Sequence, residues 1–247
     1  MVTIRCRDAV FPSIQAIFFD KDGTLADSAN FLRELAQRRS RLIDAQIPGV
    51  QEPMLMAFGV EGDRLDPSGL MALGTRYDNE IAAAAYVAET GRGWIESLTL
   101  VQASFREADQ TLPRKADHTP PFAGMEPLLQ RLQQSGVTLG VLSADSPALV
   151  DDFLKRYDLE EYMAIALGST EQLRKPQAEF YHSACEQLGV DPAATLVVGD
   201  SQSDILMAKY GGAAGCIGVT WGGASPFQLA SATVCIDHGD QIDVLAT

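Results

Sequence analysis

The sequence predicts an α/β protein whose parallel sheet is interrupted, after its first core strand, by a helical insertion. Three observations carry this. From about residue 121 onward, short apolar runs alternate with helix-length amphipathic stretches, the pattern of successive βαβ units. A separate run, Ala16–Phe19, is wholly apolar and rich in β-formers, as a strand buried on both faces must be. Between the two, residues 29–113 carry helical periodicity and no convincing strand. The expected division is a core of 1–28 and 114–247 and a helical domain of 29–113.

Residues 1–15 alternate weakly through Ile4, Cys6, Val10 and Phe11, as a strand or hairpin leading into Ala16–Phe19. Asp27-Ser28 supplies a helix N-cap, after which Phe31, Leu32, Leu35, Leu42 and Ile43 recur at helical spacing. Arg33, Arg38, Arg39 and Arg41 read as the solvated face of that helix. Pro48-Gly49, Pro53 and Asp66-Pro67-Ser68-Gly69 cut the next stretch into short helices and turns. An Ala-rich helix over 77–89 is stopped by Gly91, and another helix spans about 94–112.

Pro113, Pro120 and Pro121 mark a linker, beyond which Met125, Leu128, Leu129 and Leu132 form a helical face ended by Gly136. Strands are expected at 137–142, 163–167, 195–198, 216–219 and 233–236. The helices between them begin at Ser146-Pro147, run over 177–188 and 203–210, and begin again at Ser225-Pro226. Gly211-Gly212-Ala213-Ala214-Gly215 follows a helix and precedes a strand, the reverse of a dinucleotide fingerprint, so it reads as a helix-ending turn.

A chain of 247 residues with 46% hydrophobic and 21% charged content is an ordinary globular protein. It can bury roughly 75% of its unfolded surface without disulfide or structural metal. A net charge of -14, from 19 Lys+Arg against 33 Asp+Glu, disfavours binding to nucleic acid or an anionic membrane. No apolar run approaches the ~18 residues of a membrane span, and the N-terminus lacks a signal-peptide core, so a cytoplasmic address is expected. Cys6, Cys185, Cys216 and Cys235 lack Cys-x-x-Cys spacing and read as small buried hydrophobes. His118, His182 and His238 are scattered without metal-ligand spacing and read as surface or capping residues.

Parallel strands point their carboxyl ends the same way, so residues distant in sequence converge at one edge of the sheet. The first core strand delivers Asp20 and Asp22, with Gly23 allowing a sharp turn beside a bound group. An isolated Asp-Gly is as readily an ordinary turn, so the residues that join it decide its meaning. The strand at 137–142 delivers Ser143, Lys175 lies between the third core strand and its helix, and 195–198 leads into Asp200 and Asp204. Two unit charges ~4 Å apart repel by about 4 kcal/mol at an effective dielectric of 20, which a divalent cation relieves. A few carboxylates completed by water suit Mg²⁺, while a hydroxyl and an ammonium suit an anionic, oxygen-rich group. Carboxylate nucleophile, metal, hydroxyl and lysine together describe phosphoryl transfer through an aspartyl-phosphate.

In order and spacing these four segments resemble the motifs of the haloacid dehalogenase (HAD) superfamily. The run Asp20-Lys21-Asp22-Gly23-Thr24-Leu25-Ala26-Asp27-Ser28 resembles its phosphoglycolate-phosphatase-like branch. The resemblance implies a Rossmann-like parallel sheet with a helical cap inserted after the first motif. It implies that Asp20 is the nucleophile, and that Asp22 is the general acid and then the base. Mg²⁺ would be held by Asp20, the Asp22 backbone carbonyl and Asp200. Ser143 would hold a phosphate oxygen, Lys175 would neutralise phosphate and Asp20, and Asp204 would support the metal or Lys175.

The implied activity is Mg²⁺-dependent hydrolysis of a small phosphomonoester, a phosphoglycolate-like metabolite, by a monomer or homodimer. The alternatives are a phosphomutase of the β-phosphoglucomutase kind and a non-catalytic regulatory protein on the same fold. A two-component receiver domain shares the chemistry but is shorter and lacks the insertion. Family members that dehalogenate lack an acid at the position of Asp22; an alcohol leaving group needs a proton, so Asp22 favours ester hydrolysis. Lys21 departs from the pattern, where a hydrophobic residue is usual. It is expected to point away from Asp20 and is assigned no catalytic role. Arg76, Asn79 and Arg92 flank the Ala-rich helix, where a surface role is expected ahead of a substrate contact.

Overall fold

The computed structural model describes residues 1–245. The chain divides into two compact units, Met1–Asp27 together with the chain from Thr119 onward, and Ser28–His118. The first unit starts with an antiparallel hairpin, β1 (Val2–Cys6) and β2 (Ala9–Ile14), followed by β3 (Ala16–Phe19).

The second unit holds α1 (Ala29–Asp44), α2 (Gln51–Phe58), the small hairpin β4 (Val60–Glu61) and β5 (Arg64–Leu65), α3 (Leu70–Leu73), α4 (Arg76–Glu89) and α5 (Trp94–Thr111). Its core is built from the apolar stripes the sequence displays: Phe31, Leu32, Leu35 and Ile43 of α1 meet Ala83, Ala84 and Val87 of α4 and Val101, Phe105 and Ala108 of α5. Thr75 and Asp78 form a reciprocal capping box that fixes where α4 begins. Arg39 does not face solvent as its place in an Arg-rich helix suggests. It is 5% exposed, its guanidinium lies 4.2 Å from the centre of the Phe105 ring, and it pairs with Asp109 at 3.3 Å.

The first unit resumes with α6 (Met125–Gln134), β6 (Thr138–Ser143), α7 (Pro147–Arg156), β7 (Ile165–Gly168), α8 (Ala178–Leu188), β8 (Thr195–Gly199), α9 (Gln202–Gly211), β9 (Gly215–Val219), β10 (Val234–Ile236) and β11 (Ile242–Leu245). Six strands form a parallel sheet in the order β10-β9-β8-β3-β6-β7. β3 is central, with Phe19 opposite Val141 of β6 and Val198 of β8. Its residues alternate between the two faces. Ile17 and Phe19 pack with Leu139, Val141, Leu196 and Val198, whereas Phe18 packs with Leu142, Val197 and Tyr181. The chain leaves β3 and returns to β6 on one side and β8 on the other, so the strand order reverses at β3 and opens a crevice beyond its carboxyl end.

Four details depart from the sequence reading. The N-terminal hairpin lies in a separate three-stranded antiparallel sheet, β11-β1-β2, completed by a C-terminal strand the sequence reading omits. Short, weak alternation in 242–245 gives no strand signal without its partner β1. The helical unit contains the β4/β5 hairpin, two residues a side and too short for periodicity to reveal. Ser225-Pro226 opens turns, not a helix, although Ser225 and Gln228 make the reciprocal contact of a helix start; Leu229 enters the core. The strand expected at 163–167 is Ile165–Gly168. The Gly-rich segment at 211–215 does end a helix, with Gly212 in the left-handed conformation. Cys6, Cys185 and Cys216 are buried thiols and Cys235 is partly buried, all four free. No helix among the described residues is long and apolar enough to cross a membrane.

Phe105 tests the helical unit. Its ring is fully buried, meets Phe58 edge-on at 6.4 Å and covers Arg39. Phe105→Ala is expected to lower the unfolding free energy of the protein by about 3–5 kcal/mol, read by urea denaturation.

Candidate active site

Asp20 follows the last residue of β3, and its backbone N–H donates to the Val198 carbonyl at 2.9 Å, so it stays in line with the sheet. The loop beyond it is tight: the Lys21 carbonyl accepts from the N–H groups of Leu25 at 2.9 Å and Ala26 at 2.8 Å, and Gly23 N–H donates to the Ala26 carbonyl. Gly23 has φ +82, open to glycine and strained for other residues, and a Cβ there would run into the Asp200 carboxylate. A Cβ on Gly222 would strike the same carboxylate and the Gly23 carbonyl. Two glycines from different loops thus let the backbone close around Asp200.

Lys175 is the hub. Its Nζ lies 2.5 Å from Asp20 Oδ1 and 2.5 Å from Asp204 Oδ1, and all three side chains are buried. Asp204 in turn caps α9: its Oδ2 accepts from the Ser201 N–H at 3.2 Å and hydroxyl at 2.5 Å, while its own N–H donates to Ser201 Oγ. One Asp204 oxygen thus meets Lys175 and the other is held by Ser201. Ser143 closes β6, next to β3. Its Oγ accepts from the Asp145 N–H at 3.1 Å and its carbonyl accepts from Ser169 N–H and Oγ, so its own O–H is left to donate elsewhere.

Charge in this pocket is unbalanced. Among the described residues, oxygens of Asp20, Asp200 and Asp204 all lie within 4.8 Å of one another, against the ammonium of Lys175. Burial, with Asp204 and Asp22 adding to it and Lys175 opposing, pushes Asp20 up to about 7. Burial, then the charges of Asp20 and Asp204, push Asp200 well above the carboxylate range. Burial works to lower Lys175, but Asp20 and Asp204 outweigh it and leave its pKa raised. The donor set fits a small, hard divalent cation: it is all oxygen, it carries surplus negative charge, and the Asp200 carboxylate is cradled against the Asp20 loop.

The sequence-predicted residues Asp20, Lys175, Asp200 and Asp204 are thus brought together, with Ser143 on the neighbouring strand end. Asp22 has a different neighbourhood. Its Oδ1 lies 2.6 Å from Lys21 Nζ, which is also 3.0 Å from Asp145 Oδ2. Lys21, singled out in the sequence as a departure, thus meets both acids; Asp145 was not singled out, because it lies on a loop far along the chain from Lys21. The helical-unit residues mostly satisfy one another. Arg76 pairs with Glu80 and Asp109, and Arg92 with Glu96. Asn79, expected at the surface, is 2% exposed, its amide donating to the carbonyls of Leu70 at the start of α3 and of Gly74 and Thr75 just before α4.

Comparison with known proteins gives concordant matches. The family model described as a haloacid dehalogenase-like hydrolase matches residues 14–212. A phosphoglycolate phosphatase from Neisseria meningitidis is 29% identical over 231 residues, covering 87% of this chain and 84% of that protein. A protein of Dickeya dadantii described as probable phosphatase IndB is 33% identical over 227 residues, 87% of this chain and 85% of the other. Among solved structures, a predicted phosphoglycolate phosphatase from Haemophilus somnus superposes with a TM-score of 0.67 at 18% identity, over 92% of this chain and 96% of that one, which establishes likeness of fold.

Gly23→Ala tests the packing around Asp200. Gly124 has a similar φ of +84 but open space around it, so Gly124→Ala measures the conformational cost alone, about 1 kcal/mol. Gly23→Ala adds the collision with Asp200 and is expected to lose roughly 1–3 kcal/mol more in urea denaturation.

Proposed function

The chain belongs to the haloacid dehalogenase-like hydrolases, and from that premise we propose that it is a Mg²⁺-dependent phosphatase of small phosphomonoesters, phosphoglycolate-like metabolites among them. The observation that carries this reading is the buried triad of Asp20, Lys175 and Asp204 beside Asp200, at the crevice where the strand order reverses. Asp20 attacks phosphorus: its carboxylate oxygen forms a bond to phosphorus as the bond to the leaving oxygen breaks. Asp22 gives that oxygen its proton. A water molecule then attacks the aspartyl-phosphate, Asp22 takes the water's proton, and the bond between Asp20 and phosphorus breaks to release inorganic phosphate.

Ser143 donates its hydroxyl hydrogen to a phosphoryl oxygen, and Lys175 sets its charge against both Asp20 and the transferring group. Asp20, the Asp22 carbonyl and Asp200 would hold Mg²⁺, which would supply positive charge for the phosphoryl oxygens. The helical unit, the expected cap over 29–113, is the part we propose to select the substrate. A cytoplasmic monomer or homodimer accords with this reading.

Two outcomes are expected. On a panel of phosphorylated metabolites with Mg²⁺, Asp20→Asn lowers kcat by at least about 10³-fold. Steady turnover in that variant, or in excess chelator, overturns the proposal, and transfer to a sugar hydroxyl in place of water would assign a phosphomutase instead. In a thermal-shift titration, MgCl₂ raises the Tm of the wild-type protein, and Asp200→Asn weakens the apparent affinity at least about tenfold.

A further inference from the structure

Lys21 has no task in the reaction just derived, yet it is 1% exposed. An ammonium is buried at great cost unless it is paired, and both of its partners adjoin reacting groups. One is the Asp22 carboxylate, 2.6 Å away. The other is Asp145, 3.0 Å away, whose backbone N–H donates to Ser143 Oγ at 3.1 Å. The ammonium also lies 5.3 Å from the centre of the buried Phe153 ring of α7, the helix that follows Asp145. At the other end of the residue, the Lys21 carbonyl is anchored by the N–H groups of Leu25 and Ala26. Backbone and charged head are therefore both fixed. A hydrophobic side chain would fill the same volume but hold neither carboxylate.

We propose that Lys21 is a positioning residue: it fixes the Asp22 carboxylate for proton transfer and, through Asp145, ties the nucleophile loop to the turn that holds Ser143. This rests on the phosphatase reading of the same site. As the bond from phosphorus to the leaving oxygen breaks, Asp22 passes its proton to that oxygen and becomes a carboxylate against a fixed ammonium. It regains a proton from the attacking water. Lys21 keeps all its protons throughout.

The leaving group reports on this directly. p-Nitrophenolate departs without a proton, whereas an alkoxide does not. Lys21→Met, which keeps length and apolar bulk, is expected to lower kcat/KM, which reads phosphoryl transfer to Asp20 and not the later attack of water, roughly 10- to 100-fold more for an alkyl phosphate than for p-nitrophenyl phosphate. In an Asp22→Ala background the same change should add only the smaller loss carried by the Asp145 contact, equal on both substrates, because the carboxylate it positions for proton transfer is gone. Lys21→Arg should recover part of the alkyl phosphate activity. Equal losses on both substrates, or a full additional loss in the Asp22→Ala background, overturn the proposal. If Lys21→Met does not fold, Asp145→Asn is measured on the same two substrates and should show the same bias in weaker form; an equal loss overturns it.

Urea denaturation of the Lys21→Met, Asp22→Ala and double variants reads the contact without turnover, and additive effects would overturn the positioning role regardless of activity. Wild-type protein inactive on every phosphate ester, or Asp20→Asn as active as wild type, would instead overturn the phosphatase reading, and with it the catalytic half of this proposal. Coupling between Lys21 and Asp22 would then stand as a structural contact alone.

Discussion

Acids outnumber cations where the parallel strands end, and much of the first unit is arranged to hold that imbalance. The Lys175 ammonium sits between Asp20 and Asp204 at 2.5 Å from each. Removing one partner of such a buried pair is costly because the other is left without compensation. Asp204 is fixed by the α9 capping box, so the start of a helix, the lysine and the end of β3 form one connected structure. The small residues follow from it: Gly199 has no side chain because a Cβ would strike Asp204, and Gly23 and Gly222 leave room for Asp200.

Buried cations recur as organisers elsewhere. Burial works to lower the Lys21 pKa, but Asp145 and Asp22 outweigh it and leave it raised. In the helical unit, the buried Arg39 shares Asp109 with the exposed Arg76, and both guanidinium groups lie near the Phe105 ring. There burial is the larger influence and lowers Arg39 to about 10, with Asp109 opposing. An arginine suits that place because its planar guanidinium can lie on an aromatic face while reaching a carboxylate, which a lysine does less well. A net charge of -14 thus coexists with cations drawn inward to hold particular acids.

The fold was legible where the signal is local. A four-residue apolar strand buried on both faces, Leu stripes at helical spacing and glycines that end helices each state themselves within a few residues. What failed to show was short or relational. β4 and β5 are two residues each, β11 forms because β1 offers an open edge, and the segment after Ser225-Pro226 runs in turns despite a local helix-start signal. Arg39 and Asn79 were misread as surface residues because polarity alone does not reveal a buried partner.

By itself the sequence determined the sheet, the inserted helices and which acids, hydroxyl and lysine would stand near one another. Those follow from strand polarity, since every parallel strand delivers its next residue to the same edge. Only the tertiary structure decided who pairs with whom. Asp204 pairs with Lys175 through one oxygen and with Ser201 through the other, and Lys21 bridges Asp22 and Asp145. Such pairings depend on distances of a few ångströms between loops that share no sequence neighbourhood, and a linear pattern does not encode them.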